Sequence, residues 1–266
     1  MLGLPPQVTA CLFDLDGVLT KTATVHAAAW KEMFDAFLRS WSEQQGTPFV
    51  AFTPRDYDLY VDGRQRLDGT RGFLQARGIE LPEGSPDDPP DAPTVYGLSN
   101  RKQALVLERL AAGKVEVYEG SVRYVRAVRA AGMPTAVVSS SANTVQVLEA
   151  TGLTDLFDAR IDGLVAQERG LAGKPAPDTF LAGAEALGVG PSAAAVFEDA
   201  QAGVQAGRAG DFAFVVGVDR VGQAEELRQH GADIVVKDLS ELLDDDGDGD
   251  GAEGDGGAEG DGGAGA

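Results

Sequence analysis

Hydrophobic positions along this 266-residue chain switch period several times, and the switches separate two textures. The apolar run Cys11, Leu12, Phe13 reads as a strand that ends abruptly in polar residues. Beyond it the spacing becomes helical. Val25, Ala28, Ala29, Met33, Phe34, Phe37 and Leu38 recur on one face, and Trp30 and Trp41 add bulk. Further helical segments follow, interrupted at Thr53-Pro54 and by the proline-rich stretch 81–93, before Arg101–Leu110 again reads as helix. No strand is expected between Thr22 and Lys114.

From Ser121 onward short apolar strands alternate with helices. The expected order is helix Ser121–Ala130, strand Thr135–Val138, helix Asn143–Thr151, strand Ala159–Asp162, helix Pro177–Leu187, strand Ala194–Phe197, helix Ala200–Ala209, strand Phe212–Val218, helix Ala224–His230 and strand Asp233–Val236. Strands alternating with helices of this length predict an α/β fold, a Rossmann-like parallel sheet flanked by helices. The helical block is then an insertion. The expected organisation is a discontinuous α/β core from residues 1–21 and 114–243, an inserted α-helical domain from 22–113, and a tail from 244–266.

That tail contains only Asp, Glu, Gly and Ala, which cannot bury enough apolar surface to offset its ordering entropy, so disorder is expected there. It holds nine of the acids behind a formal net charge of −20, yet the rest of the chain is acidic too. No basic footprint is left for nucleic acid or anionic lipid, and neither is an expected partner. The single cysteine, Cys11, falls in a strand and rules out an intrachain disulfide. No signal peptide or membrane-length apolar stretch is apparent, so a cytoplasmic location and a monomer are expected.

Chemistry concentrates at strand exits, where open parallel sheets bind their ligands. The first strand runs into Asp14-Leu15-Asp16-Gly17, two carboxylates one residue apart that an extended backbone would turn to the same side. Acids sharing a site can divide labour, one ionised and one carrying a proton. Val137-Val138 leads into Ser139-Ser140-Ser141, whose hydroxyls and amides at a helix start can hold phosphate oxygens. Lys174 stands just ahead of a proline-started helix, suited to neutralising a phosphoryl group. Val196-Phe197 runs into Glu198-Asp199, suited to Mg²⁺. Singly, each could be a solvated turn, a helix cap or an exposed charge. Together, and at successive strand ends, they point to phosphoryl transfer from a carboxylate nucleophile.

These residues resemble the haloacid dehalogenase superfamily, and within it the β-phosphoglucomutase-like subfamily. The resemblance is carried by Phe13-Asp14-Leu15-Asp16-Gly17-Val18-Leu19-Thr20 with Thr22, His26 and Trp30, by Val138–Ser141 with Asn143, and by Lys174-Pro175-Ala176-Pro177-Asp178. It implies a helical cap over the core, Asp14 as the nucleophile that becomes an aspartyl phosphate, and Asp16 as general acid and base. It implies a phosphate held by Ser139, Ser140 and Lys174, and one Mg²⁺ per chain held by Asp14, the Asp16 carbonyl, Glu198 and Asp199. The implied activity is interconversion of β-glucose 1-phosphate and glucose 6-phosphate, with glucose 1,6-bisphosphate as activator and intermediate and a phosphorylated hexose as partner. The implied substrate contacts are His26, Trp30, Gly69, Arg71, Lys102, Ser141 and Asn143, with Arg71 holding the distal phosphate.

Three positions depart from that pattern. Ala142 stands where a lysine usually contacts the distal phosphate, Lys21 replaces an acid between two threonines, and Asp68 replaces a basic residue before Gly69. The alternatives are a Mg²⁺-dependent sugar-phosphate phosphatase using the same site and, further off, a non-enzymatic interaction protein whose acidic tail recruits a partner.

Overall fold

The computed structural model describes residues 1–243, so the terminal run expected to be disordered lies outside the described residues. Six short strands form one sheet: β1 (Ala10–Phe13), β2 (Thr135–Val138), β3 (Ala159–Ile161), β4 (Ala194–Glu198), β5 (Phe214–Val218) and β6 (Ile234–Val236). Their order is β3-β2-β1-β4-β5-β6 and every pairing is parallel, as the alternation of strands and helices predicts. Parallel sheets need both faces covered. Here alternate residues feed two clusters: Cys11, Phe13, Val137, Ala195 and Phe197 pack on one face, Leu12, Ala136, Val138, Ala194 and Val196 on the other.

The chain leaves β1, builds β2 and β3 on one side, then returns to build β4 to β6 on the other. The exits of β1, β2 and β4 therefore adjoin at the point where strand order reverses, which is where such sheets open a crevice. Phe13 is in register with both Val137 and Phe197, and this sets the three polar turns that follow side by side.

Between β1 and β2 the chain contributes helices and no named strand, as anticipated. Helix Thr22–Gln45 is capped by Gly46 in the left-handed conformation, and helices Arg66–Ala76 and Val95–Ala112 pack beside it. The last begins six residues before the expected Arg101, because Thr94 caps it by accepting from the Gly97 amide at 2.9 Å. These helices close a cluster of their own around Trp30, Phe34, Phe52 and Phe73, with Phe34 and Phe73 ring centroids 4.2 Å apart. The block joins the sheet through two adjacent segments: the Lys21 amide donates to Glu116 at 2.9 Å and the Tyr118 amide to Leu19 at 2.8 Å. Lys21, noted above as a departure, bonds Glu116 across this junction at 2.5 Å. Among the described residues no helix is long and apolar enough to cross a membrane.

Candidate active site

The strand ends at Phe13, so the two acids stand on the turn that follows, and the pleat is not what aligns them. The Asp14 amide extends the ladder by donating to Phe197 at 2.9 Å; the chain then folds back, with Gly17 donating to Thr20 at 2.7 Å and Thr20 to Leu15 at 3.0 Å. This turn buries Leu15 and leaves Asp14 and Asp16 lining one cavity of about 240 Å³. Gly17 has φ +92°, and a Cβ there would lie 1.8 Å from an Asp199 carboxylate oxygen. Only glycine allows both the left-handed backbone and the close approach of that acid. Arg220 braces the turn from outside, donating to the Gly17 carbonyl at 2.9 Å and the Val18 carbonyl at 3.1 Å.

Lys174 is almost fully buried and joins three strand exits. Its Nζ lies 2.6 Å from Asp14 Oδ1, 2.6 Å from Glu198 Oε1 and 3.1 Å from the Val138 carbonyl. Burial opposes its charge, but Asp14 and Glu198 outweigh burial and hold the ammonium above the ordinary lysine range. Asp14 is pushed well up, first by burial and then by Glu198 and Asp16, with Lys174 opposing. Asp199 is likewise pushed up by burial and by Asp62, Glu198 and Asp14. The exits thus gather more negative charge than one lysine balances.

Asp16 accepts two hydrogen bonds, and a buried histidine nitrogen stands beside it without making a third. Thr22 Oγ1 donates to Oδ1, Ser139 Oγ donates to Oδ2 at 3.2 Å, and His26 Nε2 lies 3.6 Å from Oδ1. On its other side His26 Nδ1 is 2.9 Å from Lys102 Nζ, so the lysine donates to Nδ1 and Nε2 carries the ring's proton toward Asp16. Burial and the Lys102 charge lower His26 to about 4, so it is neutral at pH 7. Burial, aided by Arg66 and opposed by Asp16, lowers Lys102 to about 7.

Most of the expected site residues converge here. Asp14, Asp16, His26, Trp30, Lys102, Ser140, Ser141 and Asp199 line the cavity, and Ser139 and Lys174 touch its acids. Four do not do what was expected. Glu198 Oε1 accepts from Lys174, and Oε2 accepts from the Ala200 amide at 2.8 Å, so in this structure it anchors the lysine. Arg71 points away from the cavity, paired with Asp68 at 2.9 Å and with Glu83. Gly69 packs against Trp30 and Val61 within the helical block. Asn143 accepts from Gln103 Nε2 at 2.5 Å, bridging core and cap, and leaves the cavity to Gln103.

The sequence reading overlooked the segment Asp62-Gly63-Arg64-Gln65-Arg66, all of which lines the cavity with Tyr57 and Tyr96. Arg66, which has no carboxylate partner, opens the helix in which Arg71 sits five residues later. At 3.6 residues per turn the two lie roughly 140° apart around the axis, so one faces the cavity and the other faces out. The available signal was the glycine followed by two arginines just before a helix start.

A cap-borne cationic end thus faces an acidic end that holds one buried lysine. A haloacid dehalogenase-like hydrolase profile matches residues 8–211, through the core and the helical block. The chain belongs to the haloacid dehalogenase-like hydrolase family. A relative from Mycobacterium bovis, described as a β-phosphoglucomutase, is 59% identical over 247 residues, covering 91% of this chain and 94% of the relative. A Bacillus subtilis β-phosphoglucomutase is 30% identical over 88% of this chain and 91% of its own length. Among solved structures, a Clostridium difficile β-phosphoglucomutase superposes with a TM-score of 0.70 at 24% identity, covering 89% of this chain and 93% of that one. This last likeness supports the fold, including the flanking helices.

Proposed function

We propose that this chain is a β-phosphoglucomutase, interconverting β-glucose 1-phosphate and glucose 6-phosphate through phospho-Asp14 and bound glucose 1,6-bisphosphate. The carrying observation is a cavity with two unlike ends: Asp14, bonded from behind by Lys174, at the core end, and Arg66 and Lys102 at the cap end. A hydrolase of simple monoesters has no use for the second, whereas a bisphosphate needs both. The extensive identity to the Mycobacterium bovis relative supports the same reading.

The steps follow from the contacts. Phospho-Asp14 faces the 6-hydroxyl of β-glucose 1-phosphate; Asp16 takes the hydroxyl proton as the phosphoryl group moves to O6, freeing the Asp14 carboxylate. Glucose 1,6-bisphosphate then turns end for end. Asp14 attacks the phosphorus on O1, Asp16 returns the proton to the departing O1, and glucose 6-phosphate leaves phospho-Asp14 behind. Thr22 and Ser139 hold Asp16 where one carboxyl serves both as base and as acid. Lys174 holds Asp14 in line and balances charge on the moving group. Arg66 takes the place first given to Arg71, holding whichever phosphate is not reacting.

Mg²⁺ suits the donors at the core end. Among the described residues no three His, Cys, Asp or Glu side chains form a metal cluster, and the set that fits is Asp14, Asp199 and the Asp16 carbonyl, with water completing the shell as this ion prefers. The surplus charge around Asp14 and Asp199, and the glycine that admits Asp199, suit a cation. Bound there, it would neutralise phosphoryl oxygens.

The deciding assay follows glucose 6-phosphate and free phosphate together from β-glucose 1-phosphate, with Mg²⁺ and catalytic glucose 1,6-bisphosphate. Sugar phosphate accumulating well ahead of free phosphate is the expected result. Free phosphate in excess would mean that water reaches phospho-Asp14 first, making the enzyme a sugar-phosphate phosphatase.

A pH profile tests the cap end. Lys102 loses its proton as pH rises through about 7, taking a cation away from the substrate, so kcat/KM should fall on that limb. Lys102→Arg keeps its charge at every accessible pH and should flatten it. An identical limb in both would assign the titration elsewhere.

A further inference from the structure

Arg64 is half-buried and lines the cavity; its amide donates to the Val61 carbonyl at 3.3 Å, while its guanidinium has no carboxylate or carbonyl partner among the described residues. That is unexpected in a chain with 42 Asp and Glu against 22 Lys and Arg. Arg77 pairs with Asp56 at 2.9 Å, Arg129 with Asp158 at 2.9 Å, and Arg220 with Asp238 at 3.2 Å. A partly buried guanidinium left unpaired beside a cavity is positioned for an anion the chain does not supply.

Its place is set by the glycine before it. The Gly63 carbonyl accepts from Ser140 Oγ at 2.7 Å, and a Cβ on Gly63, at φ +68°, would lie 2.8 Å from Ala200 Cβ. The cap segment is therefore docked on the core at Ser140, and Arg64 follows directly after the docked Gly63. Ala142 lines the same cavity and brings no charge. The wall where a lysine was expected is neutral, while the segment docked on it carries an arginine beyond Arg66.

We propose that Arg64 supplies from the cap the positive charge that Ala142 lacks, and that it grips the distal phosphate of glucose 1,6-bisphosphate jointly with Arg66. This rests on the mutase reading above and extends it. The charge has moved from the core to the cap, so the second arginine reaches the distal phosphate only when the cap is docked at Ser140. Retention of the bisphosphate and closure of the cap are thereby coupled.

The test compares Arg64→Ala, Ala142→Lys and the double variant with the wild type. Arg64→Ala should raise the KM for glucose 1,6-bisphosphate roughly 10- to 100-fold, the worth of a charge-assisted contact, with a much smaller change in kcat. Ala142→Lys in the same chain should restore most of that loss. An unchanged KM, or a raised KM that the lysine does not restore, would overturn the proposal. Titration calorimetry with glucose 1,6-bisphosphate, with each variant built on Asp14→Asn so that ligand is not consumed, separates this outcome from failure of the function. Weaker binding without Arg64 supports the proposal even if the active enzyme releases mainly free phosphate. Equal binding refutes it even if the enzyme is a mutase, and absence of any bisphosphate binding by the parent refutes both readings.

Discussion

Asp14→Asn should abolish turnover, lowering kcat/KM by roughly 10⁵-fold or more, the scale seen when a covalent nucleophile is removed. No other carboxylate can replace it. Asp16 is held by Thr22 and Ser139, Glu198 is engaged with Lys174 and the Ala200 amide, and Asp199 is packed against Gly17. Intact-mass analysis after a phosphate donor should show one added phosphoryl group on the wild type and none on the variant. A phosphorylated variant would move the nucleophile to another residue. Stability should behave differently from activity. Burial and the neighbouring acids disfavour the Asp14 charge, so a neutral side chain of the same shape relieves repulsion at the site. In Mg²⁺-free buffer the variant should melt no lower than the wild type, and added Mg²⁺ should raise the wild-type Tm more than the variant's, because a ligand stabilises the form it binds. A variant that melted far lower would show that Asp14 holds the fold together as well.

Lys174→Ala should damage both fold and chemistry. Its removal leaves Glu198, with no exposed surface, and Asp14, nearly buried, without the cation that faces them. Breaking such a buried pair costs about 3–5 kcal/mol, on the order of 10 °C in Tm for a domain of this size. The moving phosphoryl group loses a positive donor as well, which is worth roughly 10²- to 10³-fold in kcat. A second substitution separates the two effects. Adding Glu198→Gln removes the stranded charge and should recover much of the Tm while activity stays low. Recovery of both would mean that the lysine acts on catalysis only through folding; recovery of neither would mean that Glu198 is not the group it compensates.

The two replacements are complementary because the active site is built against stability at one residue and in favour of it at the other. Asp14 is a carboxylate kept where the protein resists its charge. Lys174 is the countercharge that makes this tolerable, and it is fixed by backbone as well as by acids through the Val138 carbonyl. Arg220 and Gly17 do the geometric part of the work, holding the turn so that Asp14, Asp16 and Asp199 face one cavity.

Much of this was legible from residue order. Helical and strand periods are local properties, so the helical block after Thr22 and the strands at Thr135–Val138 and Ala194–Phe197 could be read from spacing, and alternation of the two implied a parallel sheet. The polar groups at Asp14, Ser139 and Asp199 could be found because parallel sheets expose strand exits on one side; Lys174 lies beyond a helix, Gly163–Arg169, that separates it from β3, and only its place ahead of a proline-started helix marked it. The role of Glu198 was not legible in this way, because Asp199 lies past the end of β4 and strand alternation does not reach it; the contacts of Glu198 with Lys174 and the Ala200 amide come from packing.

Other features depended on which segments meet. The choice between Arg66 and Arg71 is a choice of helix face, and nothing local tells which face will lie over a cavity built by residues beyond Ser139. The pairing of Lys174 with Asp14 spans 160 positions and exists because the helix that follows Lys174, Asp178–Ala186, packs on β1, β2 and β3. The Lys102–His26 contact beside Asp16 needs two cap helices and the first core turn together. The docking of Gly63 on Ser140, which brings Arg64 to the cavity that Ala142 also lines, joins cap to core. Residue order settles which elements form and which residues stand at their ends, because backbone period and turn chemistry act over a few residues. Tertiary structure alone decided which charges pair and which stay free for a ligand, because Coulomb interactions and desolvation depend on distance in space, whatever the separation along the chain.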